Sequence, residues 1–276
     1  MRTPGILSSF DKQNPRSWCI AAMGDSLVRL RLLIEQNFNF VETIGVVAVS
    51  RYLFEMSVWL SLFARDDRYG LVYYGQLIET QKKYFADYRA QLHREIGMLR
   101  GFEQKEKEAR RKMLGEAGSP EELGEKLRST SEIIDAEAGR KFSLYAEQAR
   151  TNGYGFQAHL VEGKALPEVD RALTTLSEEE DDFNTHVLPR IQDLALSKDG
   201  KRKRWEWKKM AETVDLLAEY DFIYAFTSKL LHATPASITT DQKNLEPAEM
   251  VVFLRYIDVK IQDILDLAGR YQHGAA

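Results

Sequence analysis

A single cysteine, Cys19, stands among the 276 residues, so no internal disulfide can form, and no CxxC or Cys/His cluster is present to hold zinc. That usage fits a reducing compartment, and a cytoplasmic location is expected. Proline (7) and glycine (17) are scarce for this length, which favours long uninterrupted helices over many short strands. Histidine is scarcer still. None of His93, His159, His186, His232 and His273 has a glutamate three residues before it, so the Glu-x-x-His pairs of a di-iron bundle are missing, and no two histidines keep zincin spacing. There is no P-loop, dinucleotide glycine fingerprint or nucleophile elbow. Neither a metal nor a cofactor is expected. Residues 1–18 lack an apolar core long enough for a signal peptide.

Charge of one sign is also lacking. The formal net charge of -4 argues against a protein that coats nucleic acid with its whole surface, while leaving room for a local basic patch. Hydrophobic residues at 44% and charged residues at 29% describe a globular chain able to bury a sizeable core.

The most apolar stretch is 41–63, and it holds two opposite charges near its middle, Arg51 and Glu55. Its length would span a bilayer, but central charges each oppose insertion by roughly 2.5–3.5 kcal/mol. A buried core helix is therefore expected rather than a membrane span. The four-residue spacing puts both charges on one helix face. Burying them requires further polar partners inside the fold or along a cleft.

Helical periodicity recurs along nearly the whole chain. Helices are predicted over 17–37, 40–64 and from 71 into the charged tract 103–112, a solvated face. Ser119-Pro120-Glu121-Glu122 is a strong start, with a capping serine, proline in the first turn and acids near the positive helix end; this helix is predicted to run to 150. Residues 154–176, with Gly155, Gly163 and Pro167, read as the least regular part. Ser177 is predicted to start a helix ending near 197, and Asp199-Gly200 to form a turn. A long helix is predicted over 205–232, closed by Pro235, and a last one over 247–271. No hairpin strand pair or internal repeat is seen. The expectation is an all-α, multi-helix bundle with long helices and a charged helical hairpin. It would form a single domain over 1–276, with 100–200 as a helical insertion or cap.

Two further segments carry polar chemistry. On the helix before Pro235, Tyr220, Tyr224, Ser228 and His232 advance by four, a stripe of hydroxyls ending in an imidazole. Facing Arg51 and Glu55, this stripe could make an active centre, with His232 as general acid or base and Arg51 holding a phosphate or developing negative charge. Equally, His232 could cap its helix and the hydroxyls could satisfy the ion pair in a network that only holds the fold. The second segment, Lys201-Arg202-Lys203-Arg204-Trp205-Glu206-Trp207-Lys208-Lys209, could bind phosphates while its indoles stack on unpaired bases. Alternatively it is a solubilising loop with its tryptophans anchored in the core.

Arg51-Tyr52-Leu53-Phe54-Glu55 and Ser228-Lys229-Leu230-Leu231-His232 together resemble a large, poorly characterised bacterial family of helical proteins, which pairs an Arg-x-x-x-Glu helix with a late helix ending in Ser-x-x-x-His. That family is in turn similar to the HEPN superfamily, often RNases of toxin–antitoxin, abortive-infection and CRISPR-linked phage defence. The HEPN signature carries its arginine and histidine on one helix. Here Arg51 would have to enter from another. The resemblance implies a defence- or stress-associated interaction module with a polar centre of Arg51, Glu55, Tyr220, Ser228 and His232. One alternative is a HEPN-like RNase or nucleotide-directed toxin using those residues as its catalytic set. Another is non-catalytic nucleic-acid binding through Lys201, Arg202, Lys203, Arg204, Lys208 and Lys209. A protein partner or RNA is expected, a homodimer is allowed, and catalysis is left open.

Overall fold

The computed structural model describes residues 10–37, 43–116, 119–197, 200–203, 205–231 and 245–272. The fold is all-α with long helices; among the described residues β-pairing is limited to one isolated bridge, Leu196 with Arg202. By internal contacts the chain divides into two compact units, Met1–Gln76 with Phe183–Ala276, and Leu77–Asp182. Where the sequence places a helical insertion over 100–200, the compact unit is Leu77–Asp182.

The first unit is built on α1 (Pro15–Asn37), α2 (Thr43–Arg65) and a long C-terminal helix (Pro247–Gln272). Helix α2 is apolar on almost every face because it is the centre of the core: Val47, Leu53, Phe54, Val58, Leu62 and Phe63 are fully buried. It is the one helix among the described residues long and apolar enough to cross a membrane by length and composition, and most of its apolar window is buried in the fold. Against it pack Phe253, Ile257, Ile264 and Ala268 of the C-terminal helix, and Cys19, Met23 and Leu30 of α1. Each large side chain so buried contributes roughly 1.5–3 kcal/mol. Asp67, in the turn after α2, ties both outer helices: its carboxylate accepts from Tyr271 Oη at 2.7 Å and its carbonyl from Cys19 Sγ at 3.4 Å.

Helix α3 (Tyr69–Glu116) leads into the second unit, which holds α4 (Pro120–Gly139), α5 (Ala146–Asn152), α6 (Tyr154–Leu160) and α7 (Leu166–Asp182). Its core is Leu92, Leu99, Phe102, Ile134, Tyr154, Ala158 and Val169. The start of α4 is as predicted: Ser119 is extended, and its side chain accepts from the Glu122 amide at 3.2 Å.

Four predicted segments are corrected. The helix from 119 does not reach 150 but ends at Gly139, because Glu95 of α3, 1% exposed, captures the following loop. Its carboxylate accepts from Ser143 Oγ at 2.6 Å and the Leu144 amide at 3.0 Å, an alternative to helical bonds for those groups. Residues 154–176 are not irregular but helical throughout. A widened π-turn over Val161–Ala165 precedes Pro167, relieving the clash a proline makes with the carbonyl one turn back. Ser177 starts nothing; it lies inside α7 and bonds back to the Leu173 carbonyl at 2.9 Å. Helix 205–232 is likewise broken. Trp207–Thr213, here α9 after the single turn α8 (Gln192–Ala195), ends two residues before Asp215, whose φ of 61° is left-handed. The Leu216 amide then closes back on the Ala211 carbonyl at 2.8 Å. The chain restarts as α10 (Leu217–Glu219), a π-turn (Tyr220–Tyr224) and α11 (Ala225–Leu231), so the C-terminal helix is α12.

Candidate functional site

Helix geometry places Arg51 and Glu55 one turn apart on α2, and the Arg51 Nε donates to Glu55 Oε1 at 3.0 Å. The same guanidinium reaches across to the last part of the unit. One terminal nitrogen donates to Ser228 Oγ on α11 at 3.1 Å, and the other to Tyr224 Oη at 3.0 Å. Its carbon sits 4.5 Å from the centre of the Tyr224 ring, a cation–π approach. Segments 173 and 177 residues apart in sequence thus meet at one side chain.

The π-turn Tyr220–Tyr224 supplies the aromatic half of the site. Tyr220 and Tyr224 stack with centroids 4.8 Å apart, and Phe54, buried on α2, lies 6.2 and 5.9 Å from their rings. Tyr220 therefore enters through its ring, and Tyr224, outside the expected catalytic set, supplies the hydroxyl. Burial pushes the Tyr224 phenol above its ordinary pKa, against the pull of the Arg51 charge, so it stays protonated at neutral pH. His232 lies outside the described residues. The ion pair, expected to be buried, is only half-buried: the two side chains are 23% and 27% exposed. One side of α2 is left to solvent here, as exposed Tyr52 beside Arg51 also shows.

A second polar clamp holds Glu219, the residue just before that π-turn. Lys260 of α12, 8% exposed, contacts Glu219 at 2.8 Å and Asp263 at 3.0 Å. Tyr256 Oη donates to the other Glu219 oxygen at 3.0 Å. Burial opposes the Lys260 charge, but the bonds it donates to Glu219 and Asp263 outweigh it and raise its pKa. This cluster was missed from sequence. Its available signal was a lysine on the core-facing side of the apolar pattern Phe253, Ile257, Ile264.

The basic segment is placed differently from a base-stacking platform. Trp205 stacks on Trp59 of α2 at 4.0 Å and 12°, and Trp207 meets Trp205 edge-on at 5.5 Å. Both indoles pack against the core of the first unit. Arg202 donates to Asn184 Oδ1 at 2.6 Å, Lys203 to the Asp193 carbonyl at 2.6 Å, and Lys208 pairs with Asp221 at 3.5 Å. Lys201 and Lys209 are exposed, and Arg204 lies outside the described residues. Trp205 Nε1 is buried and has no hydrogen-bond partner among the described residues.

The guanidinium has five N–H donors, and three bonds already engage it, with Glu55 balancing its charge. An anion that left Ser228 and Tyr224 in place would meet only the two remaining N–H groups, beside a carboxylate that already balances the charge. Among the described residues no group of three His, Cys, Asp or Glu side chains is arranged to hold a metal ion. Comparison of the chain with protein-family models, with curated proteins and with solved structures gave no match.

Proposed function

We propose that the protein is a helical interaction module, in which Arg51 is a latch that holds the Tyr220–Leu231 segment on α2 so that the module presents a defined surface to a protein partner. The observation that carries this reading is the commitment of Arg51: each of its three nitrogens donates within the fold, to Glu55, Ser228 and Tyr224, and Glu55 balances its charge. A catalytic arginine needs donors aimed at charge that develops in the transition state. The resemblance to defence-linked families makes a component of such a system the partner class to test first.

One observation favours a second reading, a HEPN-like RNase: Arg51 comes from a separate helix to within hydrogen-bond distance of Ser228, in the Ser-x-x-x-His stretch. The same experiment separates the two. The wild-type chain, Ser228→Ala and His232→Ala are expressed, and growth and total RNA are followed. Intact RNA with all three, and co-purification with the product of the adjacent gene when the two are co-expressed, supports the module. RNA cleavage by wild type that disappears in folded Ser228→Ala and His232→Ala proteins would overturn it in favour of the nuclease.

A further inference from the structure

The loop between α4 and α5 combines features that usually exclude one another. Phe142 is 82% exposed, the highest value for a large hydrophobic side chain among the described residues, and Leu144 beside it is 39% exposed. An aromatic ring so exposed forfeits the stabilisation that burial would bring. Yet the loop carrying it is pinned. Glu95, buried beneath it, accepts from Ser143 Oγ and the Leu144 amide, and its first oxygen also takes Gln91 Nε2 at 2.8 Å. Ser143 Oγ in turn accepts from the Tyr145 amide at 3.1 Å, and the Lys141 amide bonds to the Ala138 carbonyl at 3.0 Å.

Pinning matters because association normally loses free energy to ordering a loop; a loop already ordered spares that cost, and a rigid aromatic is the kind of anchor that dominates interfaces. The surrounding charge narrows the partner. Arg140 and Lys141 directly precede Phe142 and are both exposed. Lys141 leans over the Phe102 ring at 5.1 Å, and Lys105 over the same ring at 5.4 Å. Glu137 is the carboxylate that pairs with both lysines, at 3.6 Å and 2.5 Å, leaving the patch net basic.

We infer that the Phe142 loop is a preformed docking knob for an acidic, amphipathic protein segment, whose apolar side covers Phe142 and Leu144 while its carboxylates meet Arg140 and Lys141. This rests on the interaction-module reading and adds the surface and the partner chemistry to it.

The test selects a displayed library of random peptides against the full chain and measures binding of the enriched peptides to variants. Enriched sequences should pair acidic with apolar residues. Phe142→Ala should weaken their binding at least ~10-fold with unchanged thermal melting. Arg140→Glu should weaken it too, and Ser143→Ala should weaken it less, by loosening a loop whose contact residues are intact. Equal affinity for Phe142→Ala overturns the proposal, as does a selection that enriches nothing. A lower melting temperature for Phe142→Ala would show that the ring packs within the chain. Concentration-dependent dimerisation abolished by Phe142→Asp would assign the knob to a second copy. Binding of a single-stranded RNA oligonucleotide that Phe142→Ala removes would assign it to nucleic acid. Each of these three also overturns the proposal. RNA cleavage by wild type with peptide binding intact would sink only the broader module reading.

Discussion

Replacing Arg51 by Met keeps most of the side-chain stem and removes every polar contact of the latch. Two of the lost bonds are long-range, to Ser228 and Tyr224, and each is worth ~1 kcal/mol, below the ~1.5–3 kcal/mol of a charged bond because solvent reaches the guanidinium. The cation–π contact with Tyr224 adds ~0.5–1 kcal/mol, and the Glu55 pair, one turn away on a partly wetted face, only ~0.3–0.5 kcal/mol. The expected cost is therefore about 3 kcal/mol in denaturant unfolding. The Tyr224 part can be isolated: combining Arg51→Met with Tyr224→Phe, which removes the hydroxyl and keeps the ring, should return a coupling energy of ~1 kcal/mol. Hydrogen exchange should localise the effect, with amides of 225–231 opening more readily than those of α3. Salt should erode only the small Glu55 share. A cost below ~0.5 kcal/mol, or no coupling to Tyr224, would refute the latch as the element that holds this segment.

Other perturbations probe the rest of the molecule. Glu95→Ala orphans the Ser143 and Leu144 donors beneath the α4–α5 loop and should cost ~2–4 kcal/mol, with Glu95→Gln much milder because one acceptor oxygen remains, both read by chemical denaturation. Two helical glycines should respond with opposite signs in thermal melts. A Cβ at Gly70 would collide with the Pro15 carbonyl and lie 2.8 Å from Cys19 Sγ, so Gly70→Ala destabilises. A Cβ at Gly24 meets open space, so Gly24→Ala should stabilise by ~0.5–1 kcal/mol. Burial pushes the Cys19 thiol up to about 11, against a Tyr271 hydrogen bond that lowers it. A raised pKa keeps the folded thiol protonated where the unfolded one ionises, so this group's contribution is whole below about pH 9 and is lost as pH climbs towards 11. Thiol-reagent labelling at neutral pH should be slow until the chain unfolds; fast native labelling would contradict the packing around Cys19.

Much of the local architecture was legible because a helix closes its hydrogen bonds within one turn, so its faces are written as a period of three to four residues. The limits of α1, α2 and α12, the Ser119 cap and the same-face pairing of Arg51 with Glu55 all follow from that short range. The misreadings share a cause too. Gly155, Gly163 and Pro167 look like a broken region, but the π-turn Val161–Ala165 widens the helix there and lets it continue. Conversely, 139–146 and 213–217 carry helical patterns, yet Glu95, 48 residues from Ser143, and left-handed Asp215 interrupt them.

The candidate site shows the division most sharply. Its parts, an Arg/Glu pair on an apolar helix and a stripe of Tyr220, Tyr224 and Ser228 spaced by four, could be found along the chain. That a guanidinium would settle on those hydroxyls, that Tyr220 would contribute a ring instead of its oxygen, and that Trp205 would stack on Trp59 instead of facing solvent were decided by tertiary packing. Periodicity records which side of a helix is apolar. Which distant helix covers that side is settled by the fit of whole surfaces, which no local pattern encodes.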